Sequence, residues 1–331
     1  MWTNSVFKSK WEKTSTTHFL PPGLIEKMAA QACPLLELSS YQLIDGGCAN
    51  LNIKIQFKND TTPRILRVYL QDKDAAYKEQ KLALLLKPKV PAPEIYYIGN
   101  IEGYQFSIME FIFGITLRDL LLSDHIYDMP LLMCEVGTLL SKIAAFTFPM
   151  SGLLDKNLEA MDHPITLFDF AKECLEKQEV MCILGSKLVL KIHKLLDRLK
   201  IISTEANEHH LVHGDFDPAN ILVSNSTGTW HISGILDFEF SFSGSVLWDV
   251  ANMLRYAHRM PPQFQNAFIA GLEQEGLSLP KNWQIKVSLL NITSLLDCLT
   301  RSNPQVQPNQ CADIHQLIIH FVSALGTSSH A

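Results

Sequence analysis

The sequence has little that would suit a membrane, a disulfide framework or a nucleic acid. Its densest apolar stretches, such as 82–86 and 120–122, fall far short of the roughly 20 residues that span a bilayer, and its first residues lack the apolar run of a signal peptide. Its seven cysteines are widely spaced without a C-x-x-C pair, which argues against a disulfide scaffold or structural zinc. A net charge of −6 offers no basic surface for nucleic-acid phosphates. We therefore expect a cytoplasmic protein that binds neither membrane nor nucleic acid.

Strand patterns dominate the first third of the chain. Apolar and polar residues alternate over 52–58, as they do in a half-buried antiparallel strand. Other strand patterns cover 41–44, 65–70, 94–98 and 104–111, and helix patterns cover 23–32 and 72–86. Residues 1–20 show no hydrophobic period, and the sequence assigns them no role.

Helical patterns dominate after residue 116. They cover 116–122, 130–146, 167–175, 186–202, 247–258, 262–274, 283–300 and 312–324. A strand-and-turn section over 211–236 interrupts them. With 47% hydrophobic residues the chain can bury a substantial core. We predict an α+β protein of two units, with a ligand cleft between them near 110–115.

A polar loop between two apolar, strand-like pieces holds Asp215 and Asn220, which are five residues apart. Such a carboxylate can orient a hydroxyl and accept its proton, and the amide oxygen can bind Mg²⁺. The strand pattern over 230–236 then leads to Asp237, and a hairpin would return this residue to the side of Asn220. Two oxygen ligands so placed suit a hard cation on nucleotide phosphates. The pattern therefore indicates phosphoryl transfer.

A charged pair is predicted in the first unit. Arg67 lies within an apolar strand pattern and needs a partner or a ligand. On the helix predicted over 72–86, Glu79 falls in an apolar stripe with Leu82 and Leu86. A carboxylate there is costly unless it is paired, so we predict an ion pair with Arg67. An edge-strand arginine that faces water and a partly exposed Glu79 remain the alternatives.

Three motif pieces in order carry a resemblance to a known family. They are His213–Gly214–Asp215 with Asn220, then 235–239 (Ile-Leu-Asp-Phe-Glu), then 248–251 (Trp-Asp-Val-Ala). They resemble the catalytic block of aminoglycoside phosphotransferases (APH) and their relatives, which include choline, homoserine and methylthioribose kinases. The resemblance implies a bilobal, protein-kinase-like fold. It also implies an enzyme that moves the γ-phosphate of ATP or GTP to a hydroxyl of a small molecule, with Mg²⁺ as the metal.

The resemblance assigns roles in the second half of the chain. Asp215 would be the catalytic base, and Asn220 with Asp237 would bind Mg²⁺. Asp249 would brace the catalytic loop, and His213 would be a structural residue.

The resemblance also implies a nucleotide site in the first unit. Gly46, Gly47 and Asn50 look like the family's Gly-Gly-x-x-Asn nucleotide loop, although a hairpin turn is the ordinary reading of a Gly-Gly pair. Arg67 would contact the phosphates, and Glu79 would pair with it.

Residues 108–114 resemble the hinge that joins the two lobes in this family. Backbone groups near Glu110 and Ile112 would meet the adenine edge, with an ordinary buried strand end as the alternative. We therefore expect a nucleotide-binding lobe over 1–112, with a variable N-terminal extension. The helical lobe over 113–331 would carry the catalytic loop, metal ligands and acceptor site.

The sequence gives only weak indications of which residues bind the acceptor. Asp217 and Glu239 are the acids nearest the catalytic pair, and Asp297 and Asp313 are further candidates. Such acids would together hold a cationic acceptor, either an aminoglycoside-type antibiotic or a small amino alcohol or other metabolite. Each acid alone is more often a solvated surface residue. The expected assembly is a monomer or a homodimer.

Two other functions stay open. A non-catalytic nucleotide-binding protein of the same fold is one, and the presence of Asp215, Asn220 and Asp237 together argues against it. A protein kinase is the other, and it is less favoured because the chain has His-Gly-Asp and Asp-Phe-Glu where protein kinases have H-R-D and D-F-G.

Overall fold

An antiparallel sheet forms the N-terminal part of the protein and helices form most of the C-terminal part. The computed structural model describes residues 6–12, 20–44, 50–161, 166–199, 208–226 and 228–327. The arrangement confirms the predicted α+β class with two lobes.

The N-terminal sheet has five strands in the order β1-β2-β3-β5-β4, and each neighbouring pair is antiparallel. The elements are α1 (Leu24–Ala32), β1 (Leu38–Ile44), β2 (Asn50–Phe57), β3 (Arg64–Tyr69), α2 (Ala75–Leu86), β4 (Ile95–Ile101) and β5 (Tyr104–Glu110). Leu24 and Met28 of α1 pack with Ile53, Ile55 and Phe57 of β2. This is the apolar side that the alternating pattern predicted.

Helix α2 carries a carboxylate into the interior. It begins at Ala75, three residues later than the predicted start at Asp72. Its buried residues include Leu82 and Leu86, and Glu79 lies with them at 7% exposure. The predicted apolar stripe is therefore present, and Glu79 is part of it.

The C-terminal lobe consists mainly of helices. They are α3 (Leu117–Leu121), α4 (Met129–Ala144), α5 (Leu167–Leu175), α6 (Gln178–Leu184), α7 (Ser186–Leu199), α8 (Leu247–Leu254), α9 (Pro262–Gln274), α10 (Trp283–Thr300) and α11 (Pro308–Thr327). In the part of the chain that the structure describes, none of the helices combines the length and the apolar character needed to cross a membrane.

Two small sheets shape the edge of this lobe that faces the first one. Their strands are β6 (Ile115–Thr116), β7 (Gly152–Leu154), β8 (Ala160–Met161), β9 (His210–Val212), β10 (Ile221–Ser224), β11 (His231–Ile235) and β12 (Phe242–Gly244). Strands β10 and β11 form an antiparallel hairpin in which Ile221 pairs with Ile235. One step beyond, the Leu236 N–H donates to the Asn220 carbonyl at 2.8 Å. The hairpin therefore brings Asp237 beside Asn220, as the sequence predicted.

A short N-terminal segment lies on the helical lobe. Residues 6–12, which we call the N-terminal strap, bury Phe7 at 4% exposure. The Phe7 ring meets the rings of Tyr256 and Phe264 at centroid distances of 5.5 Å and 5.7 Å. The strap is thus packed against helices from the far end of the chain.

Candidate active site

The loop over 213–220 connects β9 to β10, and its first residues are held by a buried carboxylate. Asp249 of α8 is fully buried and accepts the N–H groups of His213 at 2.7 Å and Gly214 at 3.0 Å. Burial raises the pKa of Asp249 to about 7, although these two hydrogen bonds oppose the rise. Gly214 has φ of +86°, and a Cβ there would strike the backbone carbonyl of Phe240. A glycine is therefore required at this position.

The imidazole of His213 is fully buried and both of its nitrogens have partners. Nε2 donates to the Leu236 carbonyl at 2.9 Å, and Nδ1 accepts the Asp215 N–H at 3.3 Å. Burial lowers the pKa of His213, which favours the neutral ring that these partners require. The ring lies 4.4 Å from that of Phe238. His213 therefore joins the loop over 213–220 to the segment that leads into Asp237.

Asp215 and Asn220 contact each other directly. The Asn220 amide nitrogen donates to Asp215 Oδ2 at 2.8 Å and to the Asp215 carbonyl at 2.9 Å. This use of the nitrogen leaves the amide oxygen as the group that can bind a further ligand. The Asp215 side chain is 32% exposed, so it is held in place yet open to a reactant.

Asp237 stands where β11 ends, in a left-handed backbone conformation with φ of +71°. Aspartate adopts this region more readily than a bulky residue, and strained backbone concentrates at functional sites. The conformation follows the hairpin and presents the carboxylate to Arg67, whose Nη2 lies 2.5 Å from Asp237 Oδ1.

Arg67 of β3 is the centre of a buried cluster with three carboxylates. Besides Asp237, it lies 3.4 Å from Glu79 and 3.4 Å from Glu239. The Tyr69 hydroxyl donates to the second oxygen of Glu79 at 2.7 Å. The ion pair of Arg67 and Glu79 is therefore formed, but Arg67 is shared among more acids than the sequence indicated.

The burial and the mutual interactions of these charged groups change their pKa values. Although burial acts to lower it, the neighbouring Glu79 and Asp237 carboxylates hold the pKa of Arg67 well above its usual value. Burial raises the pKa of Glu79, and it raises the pKa of Glu239 to about 7. Glu239 also accepts the side-chain N–H of Asn50 at 2.7 Å. The hydrogen bond between Asn50 and Glu239 thus joins the two lobes.

A cavity of about 640 Å³ opens beside this cluster. Its wall includes Arg67, Glu110 and Ile112 from the first lobe and Asn220 and Asp237 from the second. Its volume falls in the usual range for small-molecule sites, and its position between lobes is typical of them. Gly46 and Gly47, predicted to belong to the nucleotide loop, lie outside the described residues.

Asn220 and Asp237 fit the chemistry of a magnesium site. An amide oxygen and a carboxylate are hard donors, and Mg²⁺ commonly takes one or two protein carboxylates together with phosphate oxygens and water. Over the ranges that the structure describes, no group of three or more His, Cys, Asp or Glu residues is arranged to hold a metal ion. A cation at these two residues would therefore depend on a phosphorylated ligand for the rest of its coordination.

The acids predicted for the acceptor lie in different surroundings. Asp217 follows Asp215 in the loop, accepts the Ala219 N–H at 2.7 Å and forms an ion pair with Lys8 of the strap. Asp297 of α10 pairs at 2.5 Å with Arg301, the residue directly after the end of that helix. The structure therefore groups Asp217 with Asp215, and it gives Asp297 a partner close in sequence.

Asp313 of α11 is nearly buried among donors. It accepts from Trp11 Nε1 at 2.9 Å and from the Tyr256 hydroxyl at 2.5 Å, and Arg259 lies 3.1 Å away. Its carboxylate anchors the strap to the helical lobe.

A model of the phosphotransferase enzyme family (APH) matches residues 40–284 of this chain. The chain belongs to this family. Membership confirms the resemblance read from the sequence motifs, and members of the APH family are phosphotransferase enzymes. No curated protein matches the chain.

Solved structures of APH enzymes share the fold. A thermostable mutant of the aminoglycoside phosphotransferase APH(4)-Ia, in ternary complex with ADP and hygromycin B, is 18% identical with a TM-score of 0.69, covering 91% of this chain and 98% of its own. The GDP and kanamycin complex of APH(2")-IIia is 18% identical with a TM-score of 0.63, covering 92% and 99%.

A choline kinase shares the fold as well. LicA from Streptococcus pneumoniae is 14% identical with a TM-score of 0.60, covering 91% of this chain and 99% of its own. At such identities the likeness is one of fold, so the acceptor has to be argued from the residues of this APH-family chain.

The sequence patterns did not indicate two groups of polar contacts at the site. The first is Lys8, which meets Asp217 across 209 positions of sequence. The second supports the loop from behind: Asn252 donates to the Gly214 carbonyl at 3.0 Å, and Arg255 donates to Asn252 at 2.6 Å. A buried arginine on an apolar helix is a signal that could have indicated the second set, whereas no local pattern marks Lys8.

Proposed function

We propose that this protein transfers the γ-phosphate of ATP or GTP to a hydroxyl of a small molecule, with Asp215 as the catalytic base. One observation carries the proposal. Asp215 and Asn220 lie on a loop that Asp249 and His213 hold through buried hydrogen bonds, and the β10–β11 hairpin brings Asp237 beside them at the junction of the two lobes. Solved structures of the same fold that contain ADP with hygromycin B, or GDP with kanamycin, support a nucleotide and a small acceptor.

The nucleotide would occupy the cavity between the lobes, which we place at 1–112 and 113–331. Backbone groups near Glu110 and Ile112 would meet the base, and Arg67 would contact the phosphates. Glu79 would keep Arg67 in position through their buried ion pair.

The remaining nucleotide contacts would come from the loop before β2. Gly46 and Gly47 are proposed to bring backbone N–H groups to the phosphates. Asn50 would hold the end of that loop through its hydrogen bond to Glu239.

Asn220 and Asp237 would bind Mg²⁺ together with the nucleotide phosphates. Bound there, the ion would neutralise charge on the phosphates as the bond to the leaving nucleotide breaks. Asp237 would then exchange part of its contact with Arg67, which frees the guanidinium to meet a phosphate oxygen.

Asp215 would perform the proton transfer. Its carboxylate accepts the proton of the acceptor hydroxyl while the hydroxyl oxygen forms a bond to the γ-phosphorus. The bond from that phosphorus to the bridging oxygen breaks, and the nucleoside diphosphate leaves with the electron pair. Asn220 holds the base by donating to Asp215 Oδ2.

The test is acceptor-dependent release of nucleoside diphosphate. The protein is incubated with Mg²⁺ and ATP or GTP and with a panel of amino alcohols, amino acids, sugars and antibiotics. We expect Asp215→Ala to lower turnover with the best acceptor by about 10²- to 10⁴-fold, because a positioned base is lost. Asp124→Ala, which removes an exposed aspartate of the same lobe, is the matched control.

The proposal fails if no acceptor raises nucleotide turnover and if the wild type and Asp215→Ala behave alike. That outcome would favour a nucleotide-binding protein without catalysis. Transfer to a protein hydroxyl alone would favour a protein kinase.

A further inference from the structure

A lysine from the strap reaches the catalytic loop. Lys8 forms an ion pair with Asp217, and its Nζ lies 3.5 Å from Asp215 Oδ1. The Lys8 side chain is 23% exposed and that of Asp217 is 9% exposed. Although burial acts to lower it, the two carboxylates hold the pKa of Lys8 above its usual value. Lys8 therefore places a positive charge next to the proposed catalytic base.

Residues before and after Lys8 fix the strap in place. Phe7 packs between the rings of Tyr256 and Phe264, and Trp11 donates to Asp313. The Glu12 carboxylate accepts two backbone N–H groups from the first turn of α11, at 2.8 Å and 3.1 Å. These contacts combine apolar burial with hydrogen bonds, so they give Lys8 a defined position and do not leave it as a loose tail.

Each acid predicted to hold a cationic acceptor already has a partner within the described chain. The pairs are Asp217 with Lys8, Glu239 with Arg67, Asp297 with Arg301, and Asp313 with Arg259. An acceptor ammonium that approached Asp215 and Asp217 would have to displace Lys8 or lie beside a like charge. Both are unfavourable at such short range.

We propose that Lys8 is a specificity-determining residue of the acceptor site, which takes the place of an acceptor ammonium on Asp217 and Asp215 and selects acceptors that are neutral or anionic at that position. The inference rests on the proposed phosphotransferase function. It revises the expectation of a cationic acceptor, because each acid that was predicted to bind the cation is already paired with a basic residue of the chain itself.

The experiment compares three small alcohols that differ in one group: aminopropanol (cationic), propanediol (neutral) and hydroxypropionate (anionic). Their kcat/KM values are measured with Mg-ATP in the wild type, Lys8→Gln and Lys8→Arg. Lys10→Gln is the matched control, since Lys10 is an exposed lysine of the same strap. Thermal unfolding and the KM for ATP establish that each variant is folded and binds nucleotide.

We expect the wild type to prefer propanediol and hydroxypropionate to aminopropanol. Lys8→Gln should raise the ratio of aminopropanol to propanediol about tenfold, mainly through KM, because one charge-assisted contact on Asp217 becomes available. Lys8→Arg and Lys10→Gln should keep the wild-type ratio. An unchanged ratio in Lys8→Gln overturns the proposal, and so does an equal rise for all three alcohols, which would make the strap a general block.

A binding measurement separates this inference from the proposed function. If no alcohol is phosphorylated, the proposed function is in doubt, and calorimetric titration of kanamycin still tests Lys8. We expect Lys8→Gln to bind this polycation about tenfold more tightly than the wild type and Lys10→Gln do. Equal affinities in the three proteins overturn the role of Lys8.

Discussion

Two basic side chains flank the candidate active site, and they are held in different ways. Arg67 lies in the middle of a strand, is 5% exposed and is shared among three carboxylates. Lys8 arrives from the N-terminal strap, pairs with Asp217 and remains 23% exposed. Arg67 is a buried residue of the sheet, whereas Lys8 is a partly exposed residue of a short segment that is anchored through Phe7.

This difference distinguishes the residue that we propose to contact the nucleotide from the residue that we propose to select the acceptor. Removal of the buried Arg67 cation would leave the buried carboxylates of Glu79 and Glu239 without their counter-charge, so this side of the site is tied to the stability of the fold. A cation on a terminal segment can be changed at little cost to the core. We infer that the fold of the family determines how the nucleotide is bound, whereas the strap determines which acceptors are selected.

The largest effect is expected at Arg67. Arg67→Met leaves three carboxylates without their shared cation and should lower the free energy of unfolding by about 3–5 kcal/mol. The same variant should raise the KM for the nucleotide, because Arg67 is the proposed phosphate contact. Urea unfolding and initial rates measure the two effects.

Arg64→Met is the control for this prediction. Arg64 starts the same strand and pairs at 3.0 Å with Asp60, with both side chains about a quarter exposed, so its loss should cost under about 1 kcal/mol. Equal losses at the two positions would remove the contrast between the core cation and a surface one.

A smaller effect is expected at the support of the loop. Asp249→Asn places an amide N–H against one of the backbone N–H groups that the carboxylate accepts, and should cost about 1–3 kcal/mol. The shifted loop should lower kcat by up to about 10²-fold, with little change in the KM for ATP. Steady-state kinetics with a responsive acceptor checks this.

Asp155→Asn is a matched control, because Asp155 also accepts two backbone N–H groups, from Asn157 and Glu159, in a surface turn. It should leave kcat close to that of the wild type. If Asp249→Asn behaved in the same way, Asp249 would not be the support of the catalytic loop.

The most gradual effect is a pH dependence of stability. The pKa of Asp249 rises from an ordinary value of 3.8 to about 7 on folding, so the folded protein binds more protons at this group than the unfolded chain does in that window. Its contribution to the free energy of unfolding should therefore fall as the pH rises from about 4 to about 7. Urea unfolding at several pH values should show a shallower decline in Asp249→Asn than in the wild type. Identical slopes would contradict the raised pKa.

Local patterns were sufficient for most of the fold. The predicted spans 167–175, 262–274 and 283–300 coincide with α5, α9 and α10, whose apolar faces supply a strong helical period. Helix α6 was missed because its seven residues are too few for a clear period. The short strands β7, β8 and β12 were also missed, since strands of two or three residues leave no alternating pattern.

The candidate site likewise has contacts that could be predicted from the sequence and contacts that could not. Asp215, Asn220 and Asp237 could be placed together because one hairpin joins them, and Glu79 with Arg67 because an isolated buried charge needs a partner. The Lys8 contact could not be predicted, because it depends on how the strap crosses the finished helical lobe. Glu239 was predicted to lie near the acceptor, and the structure shows its contacts with Asn50 and Arg67.

The most direct test of the central claim is the identity of the phosphorylated product. Wild type and Asp215→Ala are incubated with Mg-ATP and the most effective hydroxyl acceptor, and the reaction is followed by phosphorus NMR. The account predicts a phosphate-ester resonance that grows as the γ-phosphate of ATP declines, and its loss in Asp215→Ala. Release of inorganic phosphate alone, or the same ester at the same rate in both proteins, would contradict it.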